Sequence, residues 1–435
     1  MTDSDLPARG AVFWPVGTGD SSTIVLDDEI VMQVDLHDLA MAQDDENPQV
    51  PVVDRLVEAL PVIDGTPYLA VFALTHADKD HCLGFADLLA RVRIGELWAT
   101  PRMWRELDDP DAPTPCSDAE AFQEESERRV AATKKAVEAG GEPTSGDRIL
   151  VIGYDTDHDS HAYSELPDKY LSGPGKCVST LDEHDCSDRF EAFFHAPFAD
   201  DCAAERNETS LAMQITLTDD SGVSGKMLLF GDLAHDTIMK IFNYSVDHGR
   251  PERLEWDLLL APHHCSKKVM YMPEDGKDVL HQDVLDAFSA NALHDDVVIV
   301  SSSDPIPSKD EAGKNPPHKM AADRYQEIAE FICTMSWGDE KAPSPVVFGV
   351  DALGARIVRE SVSALSASAA FAKSADSPSR RRLGAVTAAA VAVAEGLPAT
   401  VQAQPQPTGP ERVQNAIAAD RGGASAPDTP IGFGR

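Results

Sequence analysis

Four residues whose side chains bind cations fall within six positions of this chain: His76, Asp78, Asp80 and His81, in the segment T-H-A-D-K-D-H. Imidazoles and carboxylates packed this densely are costly to hold together unless a cation neutralises them. The chemistry that suits such a loop is a binuclear metal site; a solvated acidic loop is the bland alternative. Along an extended segment alternate side chains point the same way, which predicts His76, Asp78 and Asp80 on one side and His81 turning with the start of a helix.

Rigid elements must present this loop. The runs 11–16, 23–26 and 30–35 are short and β-rich, separated by the turn-forming G-T-G-D-S-S and D-D-E, and read as an antiparallel meander. Pro51 opens a helical pattern over 51–60, and 68–74 is an apolar run of strand length. The His/Asp loop follows that strand directly, and G-F-A-D-L-L-A-R-V after it is a helix, so the cluster sits where a buried strand ends. Ser117 with Glu120 predicts the capped start of a charged, solvated helix that closes on Gly140-Gly141. A strand over 147–153 follows, then a polar stretch, 154–206, that reads as an insertion or a run of short strands. Strands over 209–218 and 226–230 form a hairpin ending in Gly231-Asp232. A helix near 235–246, a strand 256–261 running into His263-His264, a strand 296–302, a helix 318–334 and a strand 345–350 complete the pattern. No internal repeat period is visible. The segment 360–435, rich in Ser, Ala, Pro, Gln and Gly, cannot offset the entropy of ordering and reads as a disordered tail, leaving 1–359 as one domain.

Composition narrows the setting. The chain has 435 residues, 42% hydrophobic, enough for a sizeable core. Acidic residues outnumber basic ones 74 to 37, and a formal charge of -37 repels nucleic acid and anionic membranes unless a local patch or metal ions overrule it. That acidic surface, or the tail, could recruit protein partners. Seven scattered cysteines with no C-x-x-C pair argue against a disulfide framework and for a reducing compartment, the cytoplasm. The N-terminus lacks a secretory apolar run, and the apolar part of 380–403 is about a dozen residues, short of the ~20 that span a bilayer, so no membrane role is expected.

The segment T-H-A-D-K-D-H resembles the signature of the metallo-β-lactamase superfamily in its H-x-D-x-D-H version, found in the hydrolase domain of ComEC-type DNA-uptake proteins and their soluble relatives. Further motifs come in that subgroup's order over roughly residues 10–350: V-G-T-G-D (16–20), Gln33-Val34-Asp35, N-E-T-S (207–210), L-L-F-G-D (228–232), A-P-H-H-C-S (261–266) and N-P-P-H (315–318). The resemblance implies an α/β fold, the αββα sandwich, with two divalent ions, zinc or manganese. His76, Asp78, Asp80, His81, Asp232 and His264 would be ligands, Asp232 would bridge, and a metal-bound hydroxide would be the nucleophile. Asp80 would be catalytic with His264, and His263 or His318 would position substrate or protonate the leaving group. Asp35 and Asn207 would brace ligands. Asp78 in place of the usual His makes the set harder, which favours manganese or magnesium as well as zinc.

Three positions depart from the pattern. Leu36-His37 follows Asp35 where the pattern has x-Gly, so His37 could approach the site. Cys265 stands for a Gly, and a Pro pair precedes His318 instead of following it. Remaining histidines, including His161, His195, His235 and His281, read as surface residues. Lys79, Lys267, Lys268 and Arg102 are the bases near the motifs.

The leading function is hydrolysis of a phosphodiester in a nucleic acid or nucleotide. Hydrolysis of a lactone, thioester or amide competes with it, as does a catalytically weak, metal-stabilised accessory protein. The substrate rests on family analogy alone. Oligomeric state is not legible.

Overall fold

The computed structural model describes residues 6–44, 47–108, 114–153, 161–199, 206–339 and 341–359. The expected tail 360–435 lies outside the described residues, as do His158 and Cys202.

The opening runs form the expected meander: Gly10–Phe13 pairs Ser22–Val25, which pairs Val31–Val34. Pairing then turns parallel through Thr66–Ala73, Arg93–Ala99, Arg148–Ile152 and Leu171–Ser172. A hairpin of Val346–Asp351 and Gly354–Ile357 closes the other edge against Gly10–Phe13. The second sheet repeats this plan. Phe190–Ala196, Ala212–Thr218 and Ser224–Leu229 make an antiparallel meander, and parallel pairing follows through Leu258–Leu260, Val298–Ser301 and Glu330–Cys333. The topology is thus duplicated although no sequence period announces it.

Alternation along the strands builds the layers, because successive side chains leave opposite faces of a sheet. Trp98, Met227, Leu229, Leu258, Leu260, Val298 and Val300 fill the space between the sheets. Their neighbours point outward: Leu97 and Ala99 meet Val52, Leu56, Phe85, Leu88, Phe122 and Val130. Leu228, Leu259 and Ile299 meet Ile238, Ile241, Phe242, Phe288 and Tyr325. The helices Val52–Ala59, Phe85–Arg91 and Ser117–Glu138 therefore cover one sheet, and His235–Asp247, Gln282–Asn291 and Lys319–Tyr325 the other. This is the αββα sandwich that the motifs implied.

Several elements differ from expectation. Ser117 is the first helical residue and Cys116 the N-cap, with no side-chain cap bond. That helix is half buried, since Phe122 and Val130 enter the core and Arg129 donates to the carbonyl oxygens of Ile94, Gly95 and Arg148. The helix expected over 318–334 ends at Tyr325, and Glu330–Cys333 is a strand. Ile332 faces the intersheet core while Phe331 stacks on Tyr325, a period of two that so short a run does not distinguish from a helical one. The hairpin Tyr271–Glu274 with Lys277–Leu280 was not foreseen, although its Asp275-Gly276 corner, both at positive φ, is a strong turn signal. In 161–199 the chain makes short strands such as Thr180–Leu181 and His184–Asp185, as one of the two readings had it.

The parallel halves of both sheets direct their carboxyl ends to one edge. Asp35, Thr75-His76, Asp232, His263-His264 and Ser302 all lie just past strand ends there, the place where open α/β sheets bind ligands.

Candidate metal centre

Asp35 anchors the site. Its backbone is at φ 54, and its carboxylate accepts the Thr75 amide, the Thr75 hydroxyl and His81 Nδ1, each at 2.7 Å. His81 lies in the short helical turn Lys79–Cys82, which also holds Asp80, so the extended-loop reading fails at Asp80. The turn takes over because Asp78, in the extended conformation, ends the strand-like path and His81 N returns to Asp78 O.

These bonds fix which nitrogen of each imidazole is bare. His81 Nδ1 donates to Asp35, which leaves the Nε2 lone pair free. His264 Nδ1 faces the Ser302 carbonyl oxygen at 3.2 Å, with the same consequence. His76 Nδ1 lies 3.1 Å from Thr75 Oγ1 and 3.3 Å from Ser210 Oγ. Both hydroxyl protons are committed elsewhere, to Asp35 and to the Asn207 carbonyl oxygen, so His76 Nδ1 must be the donor. Its Nε2 is buried and unbonded.

The three bare nitrogens converge on Asp232. His81 Nε2 lies 3.1 Å from His264 Nε2 and 3.2 Å from Asp232 Oδ1, itself 3.3 Å from His264 Nε2. Asp80 Oδ2 is 3.5 Å from His264 Nε2. On the other side, Asp232 Oδ2 lies 3.8 Å from His76 Nε2 and 3.7 Å from His263 Nε2, and Asp78 Oδ2 is 3.7 Å from His76 Nε2. Asp232 Oδ1 is buried with no hydrogen-bond partner. Lone pairs facing lone pairs in a desolvated pocket are unfavourable unless a cation sits among them. The donor set therefore fits divalent ions.

The electrostatics state the same demand. Burial is the largest single influence on His81 and His264 and would depress both, but the carboxylates together overcome it, Asp232 with Asp35 at His81 and Asp232 with Asp20 and Asp80 at His264, and raise them well above the usual histidine range. Burial would raise Asp232, but His264, His81 and His76 hold it well below the carboxylate range. His263 is pushed down to about 4, chiefly by burial. His37, also held down to about 4 by burial, packs its Nδ1 against Gly19, where any Cβ would meet it at 2.3 Å.

The histidine loop is strained. His263, His264 and Cys265 sit consecutively at φ 52, 52 and 64, a region that costs non-glycine residues about 1 kcal/mol or more each. Cys265 is buried and its thiol points to the His318 carbonyl oxygen, 3.7 Å away, so it packs under the loop and is not among the convergent donors. His318 stands apart from them too. Its Nδ1 accepts the Lys267 amide and its backbone N–H donates to Cys265 O, so the bonds it makes brace the loop. Asn207 is in the cluster, with Nδ2 donating to Asp232 Oδ2 at 3.4 Å. Gly231 at φ 53 lets Asp232 approach, since a Cβ there would lie 2.8 Å from that of Ser210.

Two participants escaped sequence reasoning. Asp20 joins His81, Asp232 and His264, with Oδ1 3.4 Å from His264 Nδ1; its signal was the V-G-T-G-D match, in which no residue was singled out. Arg206 Nη1 donates to Asp78 Oδ1 at 2.6 Å and its Nε to Glu106 Oε1 at 2.8 Å. Lys267, expected near the site, is paired with Asp278 instead.

No family model matches the sequence, and no curated protein does. Among solved structures it is similar to the metallo-β-lactamase MIM-1 from Novosphingobium pentaromativorans, at 13% identity over 58% of this chain and 74% of that one, TM-score 0.29. It is also similar to a metallo-β-lactamase-superfamily protein from Sulfolobus tokodaii, at 11% identity over 56% and 77%, TM-score 0.26. A HARLDQ-motif mutant of a metallo-β-lactamase from Cronobacter sakazakii gives 13% identity over 57% and 75%, TM-score 0.26.

Proposed function

We propose that this chain is a metal-dependent hydrolase with a binuclear centre, and that it cleaves phosphodiesters. The observation that carries the reading is the convergence of the bare His76, His81 and His264 nitrogens on the two oxygens of Asp232. His76, Asp78 and His263 would hold one ion with Asp232 Oδ2, and His81, Asp80 and His264 the other with Asp232 Oδ1. Two divalent ions, zinc or manganese, supply a water acidic enough to ionise near neutral pH and positive charge against the developing anion.

The chain's own groups set the geometry. Asp35 and the Ser302 carbonyl orient His81 and His264 by fixing their protonated nitrogens. Asn207 orients Asp232. The Asp80 side chain, 37% exposed against 4% for Asp232, would be the more open of these two carboxylates to incoming water. What favours a phosphodiester over a carbonyl substrate is Arg206: its Nη2 is buried and unbonded beside Asp78, a cationic donor suited to an anionic ester.

The test is metal content of the purified full chain together with cleavage of bis-p-nitrophenyl phosphate under added zinc or manganese, for wild type and Asp232→Asn. Near two ions at this centre with turnover, and a loss of about 100-fold or more when the shared carboxylate goes, is the expected result. Metal without cleavage of this ester overturns the substrate, and absence of metal at these residues overturns the whole reading.

A further inference from the structure

Three residues beyond Asp232, the same polypeptide turn delivers a second constellation. His235 opens the helix His235–Asp247, and His281 and Asp283 stand at the start of Gln282–Asn291. The three residues each offer a ligand atom, all within 4.8 Å of one another. His235 is 6% exposed and both its ring nitrogens face carboxylates, Nδ1 that of Asp236 and Nε2 that of Asp283, each at 2.9 Å. The His281 ring packs edge-on against it, with centroids 4.9 Å apart, and its Nε2 lies 3.3 Å from Glu274 Oε1.

A neutral imidazole has one donor nitrogen, so His235 between two carboxylates leaves one pair of acceptors in opposition. A proton or a metal ion relieves this. A proton makes His235 an imidazolium with a second imidazole against its ring. A divalent ion between His235, His281 and Asp283 turns the same three groups into ligands. Helix N-termini disfavour cations, but the first-turn carboxylates Asp236 and Asp283 offset both dipoles here.

We infer that His235, His281 and Asp283 form a second metal site, distinct from the centre at Asp232, that takes a single borderline ion such as zinc. Two imidazoles and a carboxylate are the donors zinc prefers, whereas manganese and magnesium favour all-oxygen sets. The ion joins the first turn of one flanking helix to the start of the other. It also pins the hairpin Tyr271–Glu274 and Lys277–Leu280, whose Glu274 reaches His281 and whose Asp278 pairs Lys267, next to the strained histidine loop. The role is therefore structural, holding the loop that carries His263 and His264.

The experiment is zinc uptake by the metal-stripped full chain, measured by equilibrium dialysis and elemental analysis, for wild type, His281→Ala and His248→Ala. His281 is partly exposed, so its loss spares the core, and His248 is an exposed control. His281→Ala should take up one ion fewer per chain than wild type, His248→Ala the same number, and zinc should raise the melting temperature of His281→Ala less than that of wild type. Asp283→Asn should repeat the loss of one ion. Because the readout is a difference, it stands apart from the Asp232 centre: failure of that centre alone gives one ion in wild type and none in His281→Ala. Equal uptake by wild type and a folded His281→Ala overturns the inference and leaves His235 a protonated histidine between two carboxylates.

Discussion

At the scale of single residues, the centre concentrates more negative charge than two divalent ions neutralise: Asp20, Asp35, Asp78, Asp80 and Asp232 meet within it. Arg206 supplies the remaining positive charge through Asp78, and Glu106 holds it in place between Arg206 and Arg102. The Asp78 carboxyl is held down to about 2, where burial works against it and His76 and Arg206 work for it. Arg206→Ala should therefore weaken the ion on the His76 side by about 10- to 100-fold, the usual effect of losing a group that orients a ligand. Arg206→Lys should recover little of that, because a lysine cannot bridge Asp78 and Glu106 with two fixed donors. Competition with a chelator reads this out directly. An unchanged affinity in Arg206→Ala would mean that the arginine serves the substrate or the fold and not the metal.

At the scale of elements, the sequence was most legible where chemistry is dense and local. His76, Asp78, Asp80 and His81 lie in six residues, and Asp232 and His263-His264 terminate strands whose alternation was readable. Asp20 and Arg206 were not legible because their roles come from contacts across the fold: Asp20 meets His264 and Arg206 meets Asp78. The same holds for histidines read as surface residues. His161, His195 and His235 are buried, and His195 Nε2 donates to the Arg253 carbonyl oxygen while its Nδ1 faces the Ser245 hydroxyl as acceptor. A buried polar device of this kind also lies at the opposite ends of the parallel strands. Glu96 accepts from Trp98 Nε1 and from the Asp182 amide, while Asp182 takes the Tyr68 hydroxyl and pairs with Arg148. Burial pushes Glu96 up to about 7 from 4.5, against the bonds it accepts from Trp98 and the Asp182 amide. A carboxyl raised on folding favours the native state when protonated, so this contribution is full below pH 4.5 and is lost as pH rises through about 7. Wild-type stability should thus fall by about 2 kcal/mol between about pH 5 and about pH 8 on this account. Denaturant unfolding of Glu96→Gln over the same range should show that slope removed, whatever its absolute stability. An unaltered slope would place the titration elsewhere, for instance at Asp38, which burial raises to about 6.

At the scale of the whole molecule, the duplicated topology and the net charge act together. Each half ends a meander strand in an aspartate, Asp35 or Asp232, and the next parallel strand in histidines, His76 or His263-His264. Face-to-face packing of the halves brings both sets to one edge, so neither half carries the centre alone. Holding the halves together must overcome a formal charge of -37, spread over 74 acidic and 37 basic residues. Two electrostatic effects oppose each other as salt is added. Surface pairs such as Arg356–Asp351 and Arg91–Asp87 weaken, but exposed pairs contribute only about 0–1 kcal/mol each. Long-range repulsion among the excess carboxylates weakens as well, since the screening length shrinks from about 30 Å at 0.01 M to about 10 Å at 0.1 M. With twice as many acids as bases, repulsion outweighs the pairs. The melting temperature of the metal-stripped chain should therefore rise by several degrees between about 0.01 M and about 0.5 M sodium chloride, and potassium chloride should match it because screening does not depend on the ion's identity. A melting temperature that falls with salt would mean that the surface pairs hold the sandwich together more strongly than the net charge drives it apart.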